Sequence, residues 1–224
     1  MPTLTQLVLN TRQRDVHRDL DNANKMHQRV MSLLPDDLGD SARAQTNTLY
    51  RLESTHAGAR LLVQTSSNMI TFDRLPDAYA ISTATVDLTP LLNRLTTSIP
   101  IRYAITTNPI KTVGGRKETG LRGKRVPLTD LDDIYTWWQR RAAEAGLDIL
   151  NHPTAIDIEH SITGGRGNSA AAGIRHHAVT IEGTATITDP ELTRQAIVTG
   201  IGRGKPYGLG LLTAVPIENE ARTA

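Results

Sequence analysis

TGIGRGKPYGLGLLTAVP, residues 199–216, combines five glycines and two basic residues with an apolar run of strand length. Glycine adopts positive φ without strain and lets the backbone approach a ligand or another chain closely. Arg203 and Lys205 add cationic donors inside this glycine-rich loop, so the stretch predicts contact with phosphate groups. A helical pattern precedes the loop, and the apolar run after it indicates a last strand.

Two nucleotide-binding motifs resemble this stretch but do not match it. A dinucleotide fingerprint needs a strand before its glycines and a helix after them, which is the reverse of the order here. A P-loop needs Ser or Thr after its Gly-Lys pair and a glycine where Thr199 stands, whereas Pro206 follows Lys205. A nucleotide-binding enzyme is therefore a weak alternative. An ordinary helix–strand connection with a glycine cap is another.

Composition limits the classes of protein that this chain can represent. Its 224 residues allow one large domain or two of about 110 residues. With 25 basic and 23 acidic residues, a nucleic-acid surface requires clustered charge. The absence of cysteine excludes disulfides and thiolate metal sites. No stretch has the pattern of a secretory signal or a membrane span, so we expect a cytoplasmic protein without membrane contact.

Hydrophobic periodicity predicts the order βαββαβ in the first half of the chain. The predicted strands cover residues 4–9, 50–53, 60–65 and 99–106. The first helix begins after Asp21 or Asn22 and ends at Pro35, and the second covers residues 87–95. This order is that of a ferredoxin-like unit.

The second half repeats this plan after a basic loop. Residues 111–125, KTVGGRKETGLRGKR, hold six basic residues and one acid, and we interpret them as a mobile loop between domains 1–112 and 113–224. A helix is expected from Thr129 or Asp130 to Gly146, a hairpin from 149–160 and 174–188, and a helix from Asp189 to Gly200. The predicted class is α+β, with two tandem ferredoxin-like (RRM-like) βαββαβ domains.

The seven histidines are the main candidates for catalysis. No pair has the spacing of a helical zinc site, and His176 and His177 point to opposite faces of a predicted strand, so we expect no metal and no cofactor. His27 lies at the border of the apolar stripe on the first helix, close in sequence to Lys25 and Arg29. Partial burial and nearby cations both lower the pKa of an imidazole. The alternative is a histidine that only packs the helix edge.

Several segments together resemble one known family. They are MHQRVMSLLP (26–35), TTNPIKT (106–112), GKRVPL (123–128), WWQRR in the third helix, and GIGRGKPYGLGLLTAVP (200–216). In this order they are similar to the CasE family, also called Cse3, the CRISPR RNA-processing endoribonucleases of type I-E systems. The resemblance covers nearly the whole chain and implies the same pair of ferredoxin-like domains.

The resemblance also implies an activity and partners. Members cut CRISPR repeat precursor RNA at the 3′ base of its stem-loop without a metal. The 2′-hydroxyl attacks the adjacent phosphate and leaves a 2′,3′-cyclic phosphate and a 5′-hydroxyl. The enzyme then stays on the crRNA stem-loop as a subunit of a type I-E Cascade complex, where the backbone subunit is its main protein partner. A non-catalytic, hairpin-RNA-binding scaffold of the same fold is the alternative.

Site residues follow from the same resemblance. His27 matches the catalytic histidine, and Asn24 stands where some members carry a tyrosine. The chain has few aromatic residues, which fits recognition of a folded stem by shape and phosphate contacts. The expected RNA-binding residues are Lys111, Arg116, Lys117, Arg122, Lys124, Arg125, Arg166, Arg175, Gly202, Arg203, Gly204 and Lys205.

Overall fold

The computed structural model describes residues 1–35, 42–55, 58–66, 70–114, 123–153, 155–158, 162–164 and 174–217. Its strands are β1 (Thr3–Leu9), β2 (Leu49–Thr55), β3 (Gly58–Thr65), β4 (Ala80–Asp87), β5 (Pro100–Thr107), β6 (Ile110–Thr112), β7 (Arg125–Pro127), β8 (Leu147–Ile149), β9 (Ala155–Ile158), β10 (Ile162–Gly164), β11 (Ile174–His176), β12 (Val179–Ile187) and β13 (Leu212–Pro216). Its α-helices are α1 (Arg14–Leu20), α2 (Ala23–Met31), α3 (Ala42–Gln45), α4 (Thr89–Arg94), α5 (Leu131–Glu144) and α6 (Pro190–Thr199).

The first sheet has the antiparallel strand order β2-β3-β1-β4. This is the order of a ferredoxin-like unit, whose first strand lies between the third and the fourth. The fourth strand is Ala80–Asp87, which the sequence analysis missed, and it pairs with β1 along its length. In the described residues between β3 and β4 there is no helix, so this unit lacks the second helix of the full pattern.

The second sheet repeats the same order as β13-β5-β12-β8, with β9 also pairing with β12. The predicted pair of tandem ferredoxin-like units is therefore confirmed. The assignment of residues 99–106 to the first unit is wrong, because Pro100–Thr107 lies between β12 and β13 in the second sheet. The chain changes sheets between Asp87 and Pro100, earlier than the predicted division after residue 112.

The predicted basic loop forms part of a hairpin in the second half. Strands β6 and β7 pair antiparallel at its base, with Lys111 opposite Val126 and Thr112 opposite Arg125. The expected hairpin of residues 149–160 and 174–188 is present as the pairs β9–β12 and β10–β11.

The helix boundaries follow the predicted caps. The side chains of Asn22, Asp130 and Asp189 each accept two hydrogen bonds from backbone N–H groups of the first turn, of α2, α5 and α6 respectively. Glycines follow the ends of α5 and α6, where Gly146 and Gly200 have φ of 72° and 75°. No helix in the described ranges is long and apolar enough to cross a membrane.

Each unit has its own hydrophobic core. In the first, Leu7, Leu61 and Val63 of the sheet pack against Met26 and Val30 of α2. The second core is larger and joins α5 and α6 to the second sheet. Its largest fully buried side chain is Trp138, whose Nε1 donates a hydrogen bond of 2.8 Å to the Tyr103 hydroxyl. The indole is thus buried without an unsatisfied N–H group.

The two units meet across the face of the first sheet opposite α2. Leu49 and Leu62 form a small apolar cluster there with Leu211 of the second unit. Beside it, Gln64 donates a hydrogen bond of 2.8 Å from Nε2 to the Ile197 carbonyl at the end of α6.

Arg51 is the strongest polar link between the units. It is only 4% exposed, and its Nη1 donates to the carbonyls of Ala104 and Leu211 at 2.9 and 3.2 Å. Its Nη2 donates to Thr213 Oγ1 and to the Glu53 carboxylate. One buried guanidinium therefore ties β2 to β5 and β13.

Replacing Arg51 with methionine keeps an apolar side chain of similar length but removes these donors. We expect Arg51→Met to lower the free energy of unfolding by roughly 2–3 kcal/mol, because the Leu211 and Ala104 carbonyls lose a charged donor and Glu53 keeps only Arg60. Urea denaturation measures this loss. Arg60→Met is the control, since Arg60 binds the same Glu53 carboxylate inside the first sheet and is 42% exposed. It should cost about 1 kcal/mol or less, and equal losses would contradict the role of Arg51.

Candidate active site and RNA interface

His27 lies on α2, where the helix turns from the core towards the surface. Its neighbour Met26 is buried, and the imidazole is half-buried, with Nδ1 shielded from solvent and without a hydrogen-bond partner among the described residues. Asn24 precedes it by nearly one turn, and its backbone N–H donates to the Asn22 cap. His27 therefore lies at the border of the apolar stripe, as predicted.

A buried ion pair fixes α2 on the side away from this imidazole. Asp19 of α1 is 1% exposed and accepts hydrogen bonds from Arg29 Nε at 2.8 Å and from the Tyr79 hydroxyl at 3.0 Å. The Arg29 guanidinium lies 4.9 Å from the centre of the Tyr79 ring. Because Arg29 is two residues from His27, this network holds the helix that carries the histidine.

The glycine-rich loop reaches α2 from the second unit. Its glycines 200, 202, 204, 208 and 210 all have positive φ. The ends of the loop are closed by hydrogen bonds from Ile201 N to the Gly210 carbonyl and from Gly210 N to the Thr106 carbonyl, at 2.9 and 2.7 Å. Lys205–Tyr207 forms one 3₁₀ turn at the tip, which packs against α2.

Tyr50 holds the tip of this loop in place. Its hydroxyl donates a hydrogen bond of 2.9 Å to the Pro206 carbonyl, and its ring lies against Gly208, where a Cβ would come within 2.8 Å of the ring. Burial raises the pKa of the Tyr50 phenol, so it stays a neutral donor. A core tyrosine of the first unit thus places a loop of the second unit beside His27.

Burial and a nearby positive charge favour the neutral form of the imidazole. Burial is the main cause that lowers the pKa of His27 below its ordinary value of 6.5, and the Arg43 guanidinium lowers it further, while the backbone of Pro206 acts in the opposite direction. Burial and Arg43 also lower the pKa of the half-buried Lys205. His27, Arg43 and Lys205 therefore form one electrostatic cluster in which the imidazole is held neutral near pH 7.

The loop also presents backbone donors. Gly202 and Gly204 have φ of 84° and 81°. Within the described part of the chain, the N–H groups of residues 202–205 have no backbone acceptor. Consecutive free N–H groups around such glycines form a concave anion-binding site.

A basic cleft of about 590 Å³ opens on the other side of Arg203. It lies between the β6–β7 hairpin and one face of α5. Among the described residues, its charged lining consists of Lys111, Arg125, Arg140, Arg141, Arg203 and one acid, Asp133. Arg203 lines this cleft, and Lys205 belongs to the cluster around His27. Only Gly204 stands between them in the sequence, so the loop contributes to both sites.

Comparison with known proteins agrees with this fold. The family model described as CRISPR associated protein matches residues 4–216. The chain belongs to this family. The match spans both ferredoxin-like units, the α2 histidine and the glycine-rich loop.

Members of the family with known names support the resemblance to CasE proteins. The chain is 28% identical to the CRISPR-associated endoribonuclease Cse3 of Thermus thermophilus, over 95% of this chain and 99% of that protein. It is 27% identical to the Cascade subunit CasE of Escherichia coli K12, over 86% and 92% of the two chains. A solved structure of Thermus thermophilus Cse3, bound to an RNA representing a pre-cleavage complex, superposes with a TM-score of 0.75, at 27% identity over 96% and 99% of the two chains.

In this member of the family, the predicted RNA-binding residues fall into three groups. Gly202, Gly204 and Lys205 lie in the loop beside His27, and Lys111, Arg125 and Arg203 line the cleft. Lys124 is exposed on the β6–β7 hairpin, and Arg175 lies on β11 opposite Thr163. Arg116, Lys117, Arg122 and Arg166 lie outside the described residues.

Sequence reasoning missed Arg43, Arg140 and Arg141. Arg43 is an isolated arginine on the four-residue helix α3, and nothing in its local pattern marks it. Arg140 and Arg141 belong to the WWQRR segment, which contributes to the family resemblance, but the resemblance implied no role for its arginines. Among the described residues, no group of three or more His, Asp or Glu side chains could hold a metal ion.

Titration of His27 tests the electrostatics of the cluster. An NMR titration of the imidazole C–H signals should give a pKa below 6.5. Because the unfolded chain then binds the proton more tightly, the protein should lose stability as the pH falls below 6.5. Arg43→Gln should raise the pKa part of the way towards 6.5, since burial remains. A pKa at or above 6.5 in the unmodified protein would contradict the arrangement.

A pair of glycine substitutions tests the geometry of the loop. Gly200 has φ 75° and ψ 157°, and a Cβ there would lie 2.8 Å from the Gly210 carbonyl oxygen and 2.9 Å from Leu49 Cδ1. Gly123 has φ 78° but no described atom within 4 Å of such a Cβ. In thermal or urea unfolding, Gly123→Ala should cost about 1–2 kcal/mol and Gly200→Ala clearly more. Equal costs would show that the loop can move away.

Proposed function

We propose that this chain is an endoribonuclease that cuts CRISPR repeat precursor RNA at the base of its stem-loop and stays on the product as a Cascade subunit. Its named relatives are an endoribonuclease and a Cascade subunit, and the solved relative binds an RNA that represents a pre-cleavage complex. The observation that carries the proposal is the position of His27: a half-buried imidazole next to a cationic, glycine-lined loop. A residue that only packed the helix edge would not need these neighbours.

The reaction that this geometry fits is an internal transesterification. Neutral His27 takes the proton of the 2′-hydroxyl as that oxygen forms a bond to the adjacent phosphorus. The bond from phosphorus to the 5′-oxygen breaks, and this oxygen receives a proton. The products are a 2′,3′-cyclic phosphate and a 5′-hydroxyl, and no water is consumed. The low pKa of His27 keeps it in the base form near neutral pH.

Charge develops on the phosphate oxygens during this step. Arg43 acts electrostatically on both the imidazole and Lys205, and the 3₁₀ turn that carries Lys205 packs against α2. The N–H groups of residues 202–205 add neutral donors. Donors that are already oriented and partly removed from water stabilise such charge most strongly. We therefore assign transition-state stabilisation to Arg43, Lys205 and the backbone of the glycine-rich loop.

The remaining basic residues would bind the RNA backbone. Lys124, Arg125 and Arg203 are exposed and make no side-chain hydrogen bond or ion pair with a described residue. Lys111 pairs only with Asp133, an exposed contact that a phosphate can replace. The predicted contacts of the other basic residues with the RNA, contact with the Cascade backbone subunit and a cytoplasmic location belong to the same proposal.

Single-turnover cleavage of a repeat stem-loop tests the catalytic role. The unmodified protein should cut the RNA in EDTA, and His27→Ala should slow the reaction by about 10²–10⁴-fold while binding is largely kept. His17→Ala is the matched control, because His17 is exposed on the neighbouring helix α1 and should not affect the rate. Undiminished cutting by His27→Ala would remove His27 from the mechanism.

The RNA itself provides the complementary test. A 2′-deoxy nucleotide before the cut should block the reaction. End-group analysis of the fragments from the unmodified RNA should find the cyclic phosphate and the 5′-hydroxyl. Cleavage of the deoxy substrate would mean that another nucleophile attacks. The scaffold alternative predicts tight, salt-dependent binding of the same RNA with no product after long incubation.

A further inference from the structure

The basic cleft beside α5 has features that recognition of a folded stem does not require. Along α5, Asp133, Trp137, Arg140 and Arg141 succeed one another at intervals that place them on the side facing the β6–β7 hairpin. The hairpin forms the opposite wall, and Arg203 of the glycine-rich loop forms one end. The cleft thus lies between α5 and the hairpin, and the glycine-rich loop beside His27 contributes Arg203 to its lining.

Charge in the cleft exceeds what its acids can neutralise. Arg140 and Arg141 share Glu144, at 3.5 and 2.6 Å, and Lys111 pairs with Asp133 at 2.9 Å. These pairs are exposed, so each contributes little and can be exchanged for a phosphate. Arg125 and Arg203 have no described partner. A polyanion that enters the cleft therefore gains several charge-assisted hydrogen bonds.

Arg141 is oriented for such a contact. Its guanidinium lies 5.7 Å from the centre of the Trp137 ring, and the buried indole supports it from below. Its Nε is shielded from solvent and has no hydrogen-bond partner among the described residues. The Nε is therefore out of reach of a ligand, whereas the side chain as a whole is 37% exposed and its Nη groups can contact a phosphate oxygen.

The size of the cleft limits its ligand. A volume of about 590 Å³ is in the range of sites for small molecules and is too small for a double helix. One or two unpaired nucleotides fit. Arg203 and Lys205 are separated only by Gly204, so their Cα atoms lie at most about 7 Å apart. A strand that passes from the site of His27 across the loop therefore has a short path to the cleft.

We propose that this cleft binds the unpaired nucleotides next to the cleaved phosphate, with Arg140 and Arg141 contacting their phosphates. This inference rests on the proposed function and extends the RNA-binding surface to a helix face that contacts single-stranded rather than paired RNA. It assigns a binding role to two arginines outside the glycine-rich loop and the hairpin.

Binding to two RNAs distinguishes contact with unpaired nucleotides from general attraction of RNA to a basic surface. One is the repeat stem-loop with its unpaired flanks and the other is the same stem-loop trimmed to its paired part, both with a 2′-deoxy nucleotide at the cut to prevent cleavage. The test variant is Arg140→Gln with Arg141→Gln. The control is Arg94→Gln with Arg102→Gln, which removes the same charge from exposed arginines that line a different cavity.

Binding is measured as a function of salt. With the flanked RNA, the test variant should bind about tenfold more weakly, and the slope of log K against log salt should fall in magnitude by about 1.4, or 0.7 for each of two phosphates. With the trimmed RNA it should match the unmodified protein. The control pair should match the unmodified protein with both RNAs. Arg125→Gln, on the opposite wall, should show the same selectivity with about half the change in slope.

Each other result has a definite meaning. Equal weakening on both RNAs would overturn the inference in favour of contact with the stem, and no weakening on either would remove the cleft from RNA binding. Cleavage of the flanked RNA, without the deoxy substitution, tests the proposed function separately. If the unmodified protein binds with the expected selectivity but does not cut, only the nuclease proposal fails, whereas loss of all binding would overturn both.

Discussion

A buried arginine from the first sheet holds the two ferredoxin-like units together. The Arg51 guanidinium reaches carbonyls of β5 and of the segment before β13, and Glu53 balances its charge from within the first sheet. Tyr50, the residue before Arg51, donates a hydrogen bond to the Pro206 carbonyl. The histidine belongs to one unit and the glycine-rich loop to the other, so the site exists only where these contacts align them.

Hydrogen bonds hold the structure in place on both sides of His27. The Asp19 network holds α2 from behind, and Tyr50 and the closed ends of the loop hold the opposite wall. This rigidity matters because Arg43 and Lys205 would otherwise separate by mutual repulsion. The positive charge of Arg43, held near α2, adds to burial in lowering the pKa of His27. An anionic strand is the ligand that such a site favours.

Local sequence patterns predicted much of the fold. Asn22, Asp130 and Asp189 marked helix starts because a side-chain cap acts on the next three residues. The assignment of Pro100–Thr107 to the first unit failed because its length and apolar pattern suit either sheet. Its partners, β12 and β13, lie about 75 and 110 residues further along the chain, and no local pattern reports such pairing. Because residues 99–106 were predicted to be the fourth strand of the first unit, the true fourth strand, β4, was missed.

By itself the sequence determined the two-unit class, the helix that carries His27, the place of this residue at the edge of an apolar stripe, and the glycines that let the loop turn. These properties depend on spacing along the chain. Only the tertiary structure decided that Arg43 acts on His27, that Tyr50 anchors the loop, and that Arg140, Arg141 and Arg203 line one cleft. Those contacts join residues of different elements, and their electrostatic and packing energies depend on distances that only the folded chain has.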